Sequence, residues 1–327
     1  MTPLYGHTEA VAAFREGLAT SRLHHAWLIT GPEGIGKALF AEKAALRLLA
    51  EKAGPPIEMP NLDVPASHRI AKLVEAGSHP DLMRLERLPK DNAGELARSI
   101  TVDQVRGLQR LFATTASLSP WRAVIIDSID DLERPAANAL LKNLEEPPAN
   151  SIFFLISHAP ERLLPTIRSR CRQVRLSSLD PDAMTSALRA ALPDADEAEI
   201  ATLAEVGEGS PGRAIAFRGL DIDAMDAAMA ALVREGDPIN AKRVALASSL
   251  SLKSAQPRYE AFLARAPSFI ARIAKERRGA ALAEALGLWE RAANLAGSAQ
   301  RLSLDPQSVA FELAGMLATL APKPDNG

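Results

Sequence analysis

Ala26-Trp27-Leu28-Ile29-Thr30-Gly31-Pro32-Glu33-Gly34-Ile35-Gly36-Lys37-Ala38 is the stretch from which the fold can be read. An unbroken apolar run enters a glycine-rich turn, and a helical pattern opens at Lys37. In the spacing G-x-x-x-x-G-K, Gly31, Gly34 and Gly36 allow backbone N–H groups to approach phosphate oxygens. The helix behind them adds the positive end of its dipole, and Lys37 reaches the outer phosphates. The strand–loop–helix setting raises this above a bare string match and above a turn that merely packs a helix onto a sheet. The eighth position, where Ser or Thr would place a hydroxyl on Mg²⁺, is Ala38. The cradle survives that change, but one metal ligand is lost, so ATP or ADP binding with Mg²⁺ is expected to be weakened.

Working outward, Ala123 to Asp127 and Ile152 to Ser157 are further continuous apolar runs, as expected of strands buried on both faces, and Asp81 to Glu86 is a weaker one. Helical patterns alternate with them, which predicts an α/β domain with a parallel sheet. Thr101 and Gln104 have the capping-box form, with Val105, Leu108 and Phe112 following on one face. Ala137, Leu140, Leu141 and Leu144 make another stripe, stopped by Pro147-Pro148. Ala53 to Pro80 reads as an exposed insertion with one short helix around Ile70 to Ala76. After Leu176 strand signals vanish. Leu282, Ala285, Leu286, Trp289, Ala293 and Ala296 recur at helical spacing and read as core. Val309, Leu313, Met316, Leu317 and Leu320 recur likewise, and Ala321 to Gly327 reads as a frayed tail.

Val124-Ile125-Ile126-Asp127 supplies the second nucleotide element, an apolar strand ending in an acid that can hold a metal through water. In hydrolysing ATPases with an extra central strand a Glu normally follows and orients the attacking water; here Ser128 follows, and serine is no base at neutral pH. Asp130 and Asp131 lie on the next loop and are weak substitutes. Two losses at two separate positions point to a phosphate loop kept as architecture with hydrolysis degraded.

The 327 residues suffice for two domains and a small third, and 47% hydrophobic with 24% charged residues excludes a disordered chain. With 38 basic and 40 acidic residues, the formal charge of −2 offers no whole-protein field for nucleic acid. A single cysteine excludes a disulfide framework and any several-cysteine zinc site. No apolar run approaches a membrane span, and the N-terminus lacks the features of a signal peptide, so a cytoplasmic protein is expected. His24-His25 is not read as a metal site, because adjacent side chains on an extended chain point apart. Arginines on both sides would lower the pKa of Cys171. Glu145 and Glu146 read as structural. Thr166-Ile167-Arg168-Ser169-Arg170-Cys171-Arg172, taken alone, is a solvated basic turn.

The strings HHAWLITGPEGIGKA, HPDL, AVIIDSIDDLERPAANALLKNLEEPP, FFLISHAPERLLPTIRSRCR and GSPGRA change that reading. Together they resemble the bacterial clamp-loader branch of the AAA+ ATPases, within it the delta-prime type of DNA polymerase III subunit. The motifs run from about Gly6 to Ala214. The resemblance implies a RecA-like AAA+ domain over residues 1–175, a helical lid over 176–218 and an all-α collar for oligomerisation over 219–327. It implies that Arg170 is an arginine finger offered to ATP on the adjacent subunit, and that Ser157 and Arg213 stand at the sensor-1 and sensor-2 positions. Cys171 becomes a packing residue beside the finger. The implied partners are delta and gamma/tau subunits in a hetero-pentamer that places the sliding clamp on primer–template DNA. Ala38 and Ser128 suit a non-hydrolysing stator in that assembly. Two other readings remain open: an ATP-hydrolysing gamma/tau-type motor, supported by Lys37 and Asp127, and a stand-alone nucleotide-binding adaptor. Many clamp-loader subunits carry a four-cysteine zinc module after the phosphate-loop helix. Residues 53–80 contain no cysteine, and His68 and His79 lack companions, so no zinc is expected.

Overall fold

The computed structural model describes residues 2–90, 96–302 and 304–322; the end of the expected frayed tail lies outside them. The chain divides into two compact units, residues 1–215 and 216–327.

Five parallel strands form the sheet of the first unit: β1 (Ala26–Thr30), β2 (Leu82–Glu86), β3 (Arg122–Asp127), β4 (Ser151–Ser157) and β5 (Arg172–Arg175), in the order β2-β3-β4-β1-β5. β1 and β4 are buried along their whole length, which is why they read as unbroken apolar runs. Thr30 stands opposite Ser157, Asp127 opposite Ile156 and Glu86 opposite Asp127, so phosphate loop, acid and sensor leave the sheet at one level. Interposing β4 between β1 and β3 makes this the AAA+ arrangement with the extra central strand.

Among the described residues ten α-helices precede or enter the boundary between the units: α1 (Thr8–Ala19), α2 (Lys37–Ala53), α3 (Arg69–Glu75), α4 (Val102–Arg106), α5 (Leu108–Ala113), α6 (Arg134–Glu145), α7 (Pro165–Arg168), α8 (Pro181–Ala191), α9 (Glu197–Gly207) and α10 (Pro211–Phe217). One sheet face packs on Phe14 of α1 and Phe40, Ala44 and Leu48 of α2. The other packs on Val105, Leu108, Leu140 and Leu144. The capping box at Thr101 forms as expected, but the pattern beyond it is two short helices that break at Gly107. Helices α8 and α9 close over a small core of their own, with Met184, Leu188, Ile200 and Leu203 meeting Ala214.

β5 is a strand that the apolar-run reading did not mark. Only Val174 of Arg-Gln-Val-Arg is buried, so the strand carries no apolar run. An edge strand bristling with cations is also a common defence against pairing with another chain.

The 53–80 segment is built around Arg47 of α2, a guanidinium only 1% exposed. It donates to the carbonyls of Ile57 (2.6 Å), Met59 (2.9 Å) and Asp63 (2.6 Å), and its Nε pairs with Glu51 (2.5 Å). One turn earlier Lys43 bonds the Asp63 carboxylate at 2.9 Å. Two cations one turn apart thus tie an otherwise polar excursion to its parent helix. The short helix expected near Ile70 is α3, capped by His68.

The second unit holds α11 (Ile222–Glu235), α12 (Ala241–Leu250), α13 (Gln256–Lys275), α14 (Gly279–Leu302) and α15 (Pro306–Thr319). Val309, Leu313, Met316, Leu317 and Leu320 are buried as their spacing predicts. The expected stripe on α14 is corrected. Ala285, Leu288, Ala292 and Ala299 face inward, whereas Leu286 is exposed and Trp289 is 43% exposed. Both faces of that helix carry apolar residues, and the one with three alanines is the one buried.

Arg47→Met is expected to release residues 54–68, since three carbonyls and a carboxylate lose a buried partner at a cost of roughly 3 kcal/mol. Limited proteolysis should cut within that segment at least about tenfold faster, and the urea midpoint should fall; an unchanged pattern refutes the role given to Arg47.

Candidate functional site

A cavity of about 590 Å³ opens at the carboxyl edge of the sheet, lined by Glu33, Lys37, Ala38, Asp127, Ser128 and His158 among others. The phosphate loop has its expected backbone: Gly31, Gly34 and Gly36 all hold positive φ. Gly34 shows why no side chain fits. A Cβ there would stand 2.5 Å from Ser210 Oγ and 2.8 Å from the Arg213 nitrogen. The lid motif Gly209 to Ala214 sits directly on the loop. Ser210 Oγ donates to the Glu33 carbonyl at 2.8 Å, and the Gly212 N–H donates to the Gly34 carbonyl at 2.8 Å.

The groups that would meet a nucleotide are engaged with the chain itself. Lys37 Nζ donates to the carbonyls of Gly31 (2.7 Å) and Pro32 (2.6 Å). Burial pushes the Lys37 pKa down to about 8, against the opposing pull of Glu33, Asp127 and Asp130. Asp127 accepts from Arg84 Nη2 at 2.8 Å. Ser157, fully buried, donates to Asp130 Oδ1 at 2.9 Å, whose other oxygen accepts the His158 N–H at 2.6 Å. Asp131 takes Ser128 Oγ at 3.1 Å and Arg87 at 3.4 Å. Asp130 and Asp131 therefore brace the loop, with both carboxylates engaged within it. Arg213 bonds the Gly207 carbonyl at 3.0 and 3.2 Å and pairs with Glu208 at 3.1 Å. With Ala38 offering no hydroxyl and Asp127 already ion-paired, these residues do not fit a Mg²⁺–nucleotide complex; the backbone cradle alone retains its shape.

Arg170 follows α7 (Pro165–Arg168), at a distance from the cradle along β5 and β1. Its Nη1 donates to the Thr166 carbonyl at 2.9 Å and its Nη2 pairs with Glu145 at 2.8 Å, leaving the side chain 34% exposed. Glu145, the last residue of α6, is thus a restraint on Arg170 that the sequence reading treated as purely structural. Arg84 and Ser210 were missed as well: their partners lie 43 and 177 residues away. Only Ser210's place in the GSPGRA string drew attention to it.

Cys171 is a packing residue, as the resemblance implies. Arg170 turns toward Glu145, and Arg172 stacks over Trp27 at 4.7 Å, so neither cation serves the thiol. The side chain packs against the core under α6, and burial pushes its pKa up to about 12. His24 and His25 also depart from expectation, since their rings stack at 4.5 Å. Both are used by the backbone, His24 at Ala26 and His25 at Leu144.

A parallel sheet in AAA+ order, a phosphate loop, and a helical lid bonded to it define a protein of the AAA+ class. The family described as DNA polymerase III, delta subunit, matches residues 6–180, and the chain belongs to it. Two relatives, the DNA polymerase III delta' subunits of Pseudomonas aeruginosa and Escherichia coli, are 38% and 35% identical over 187 and 211 residues. Those alignments cover 57% and 64% of this chain, and 53% and 58% of the relatives. The chain therefore spans little more than half the length of the relatives it matches. A solved gamma-subunit-related protein of Thermotoga maritima aligns over 94% of this chain and 98% of its own, at 15% identity and a TM-score of 0.45.

Two measurements check the electrostatics. Lys37 has a lower pKa folded than unfolded, so stability attributable to it rises as pH climbs from about 8 toward the unfolded value near 10.4. Urea midpoints at pH 7.5 and 9.5 should show this rise, at most about 2 kcal/mol over that interval, diminished in Lys37→Met. The lone Cys171 should react with a maleimide at pH 8 about three orders of magnitude more slowly than in the unfolded chain, because almost none of it is thiolate.

Proposed function

We propose that this chain is a non-hydrolysing, delta-prime-like subunit of a DNA polymerase III clamp loader that supplies Arg170 in trans. The observation that carries the reading is an asymmetry of partners. Lys37, Asp127 and Ser157 at the cradle spend their polar atoms within the chain, whereas Arg170, away from it, is bonded to the Thr166 carbonyl and to Glu145 and still keeps a guanidinium that is 34% exposed. A guanidinium restrained at one end and open to solvent can add itself to the charge on a γ-phosphoryl of a neighbouring subunit.

In this reading the partners are delta and gamma/tau subunits in a hetero-pentamer. The sliding clamp and primer–template DNA are met through the assembly, and the cytoplasm is its place of action. The five-helix second unit would serve as the collar. Similarity to delta' subunits supports the assignment, and the ion-paired Asp127 with Ala38 and Ser128 disfavours the motor alternative. Among the described residues no helix is long and apolar enough to cross a membrane, which suits this role.

The test is a reconstituted complex with delta and gamma/tau subunits. Arg170→Ala should leave the pentamer intact by size-exclusion chromatography while lowering turnover at the site it serves on the order of 10³-fold. Lys37→Ala in this chain should leave the ATPase of the complex unchanged. A normal rate with Arg170→Ala refutes the finger, and ATP turnover by the isolated chain that Lys37→Ala abolishes makes it a motor.

A further inference from the structure

Asp127 is the carboxylate on which a nucleotide site of this architecture would hang a divalent ion, and here its counter-charge comes from the chain. Arg84 projects from the middle of β2, adjacent to β3 in the sheet. Its guanidinium meets three carboxylates from three elements: Glu42 of α2, Glu86 of β2 at 2.9 Å, and Asp127 of β3 at 2.8 Å. Each nitrogen has its own acid, Nη1 with Glu42, Nε with Glu86 and Nη2 with Asp127. A planar guanidinium suits such divided service, because its donors diverge in fixed directions. Burial alone would lower the Arg84 pKa, but Glu42, Asp127 and Glu86 more than offset it and hold the group above its ordinary value.

We infer that Arg84 is a resident cation at this edge of the sheet, occupying the electrostatic role of the divalent ion and excluding it. Three features converge. Ala38 withholds the hydroxyl ligand. One oxygen of Asp127 is bonded to the guanidinium, and a divalent ion on the other oxygen would sit within a few ångströms of that positive charge. Lys37 adds a second cation close enough to act on Asp127. Arg84 supplies the counter-charge shared by three acids gathered from α2, β2 and β3. The inference rests on reading Asp127 as the acid of a degenerate nucleotide cradle. It goes further by naming the residue that makes the cradle independent of metal.

The test titrates the full-length isolated chain with Mn²⁺ and follows the free-ion signal by electron paramagnetic resonance. The wild type should take up no Mn²⁺ that Asp127→Asn abolishes. Arg84→Met leaves the three acids without a counter-ion and should bind Mn²⁺ at least about tenfold more tightly, an increase lost again in Arg84→Met/Asp127→Asn. Arg84→Lys, which keeps the charge, should behave as the wild type. An Arg84→Met chain that is folded by circular dichroism yet binds no more Mn²⁺ than wild type overturns the inference. If that variant does not fold, the wild-type titration decides, because Asp127-dependent Mn²⁺ uptake by the wild type overturns the inference and its absence bears it out. No partner subunit is involved, so failure here leaves the Arg170 reading standing, and failure of Arg170→Ala leaves this one standing.

Discussion

The central strand β4 pairs with β1 on one side and β3 on the other, in parallel register and with every residue buried. That constraint brings three turns to one edge: the phosphate loop after Thr30, the Asp127 to Asp131 turn, and the Ser157-His158 end of β4 itself. With backbone groups saturated by neighbours on both sides, β4 cannot slip without turning Phe153 and Phe154 to opposite faces. The polar chemistry of the first unit therefore rests on an apolar strand that takes part in none of it except through its last residue. Ser157 bonding Asp130 then transmits the register of the strand to the turn beside it.

Cations do much of the remaining organisation, each by a different arrangement of acceptors. Arg47 takes three carbonyls and a carboxylate and shapes an insertion. Arg84 takes three carboxylates and closes an acidic edge. Lys37 takes two carbonyls of its own loop. Burying such charges is unfavourable unless they are fully partnered, and removing one partner leaves the others stranded. Arg170 is held more lightly than Arg47 or Arg84, by one carbonyl and one carboxylate, with the rest of the guanidinium in solvent. An interaction of that form can be exchanged for another anion without exposing a buried charge.

What could be read from the sequence is what is local. The strand-to-loop-to-helix transition at Thr30 to Lys37 and the capping box at Thr101 are set by residues within one turn of each other, and both stand as expected. The motif strings placed Arg170, Ser157 and Arg213 by analogy alone, and their actual partners were not visible. Arg84 and Asp127 meet only because β2 lies beside β3, a fact of topology and not of spacing. β5 was hidden because a cationic edge strand needs one inward residue, and Val174 alone makes no pattern. Trp289 misled because α14 has two apolar faces, and periodicity does not say which of them the neighbouring helices will take. At Cys171 adjacency in sequence alone would suggest a lowered pKa, but geometry sends both arginines elsewhere and leaves the packing residue that the resemblance implies.

The survival of a well-formed phosphate loop around a committed lysine has a physical explanation that does not require a nucleotide. The turn Gly31 to Gly36 points its carbonyls as well as its N–H groups. Those of Glu33 and Gly34 accept Ser210 and Gly212 of the lid, while those of Gly31 and Pro32 accept Lys37. Gly34 admits the lid only because it lacks a Cβ, and Gly212 meets the same limit from the other side, where a Cβ would stand 2.8 Å from the Gly34 Cα. Replacing either glycine would separate lid from sheet whatever the site binds. The same residues that form a phosphate cradle therefore form a joint, and the joint accounts for the glycines by itself. A loop with that second task can lose its metal hydroxyl at position 38 and its base at position 128 and still be held to the same backbone.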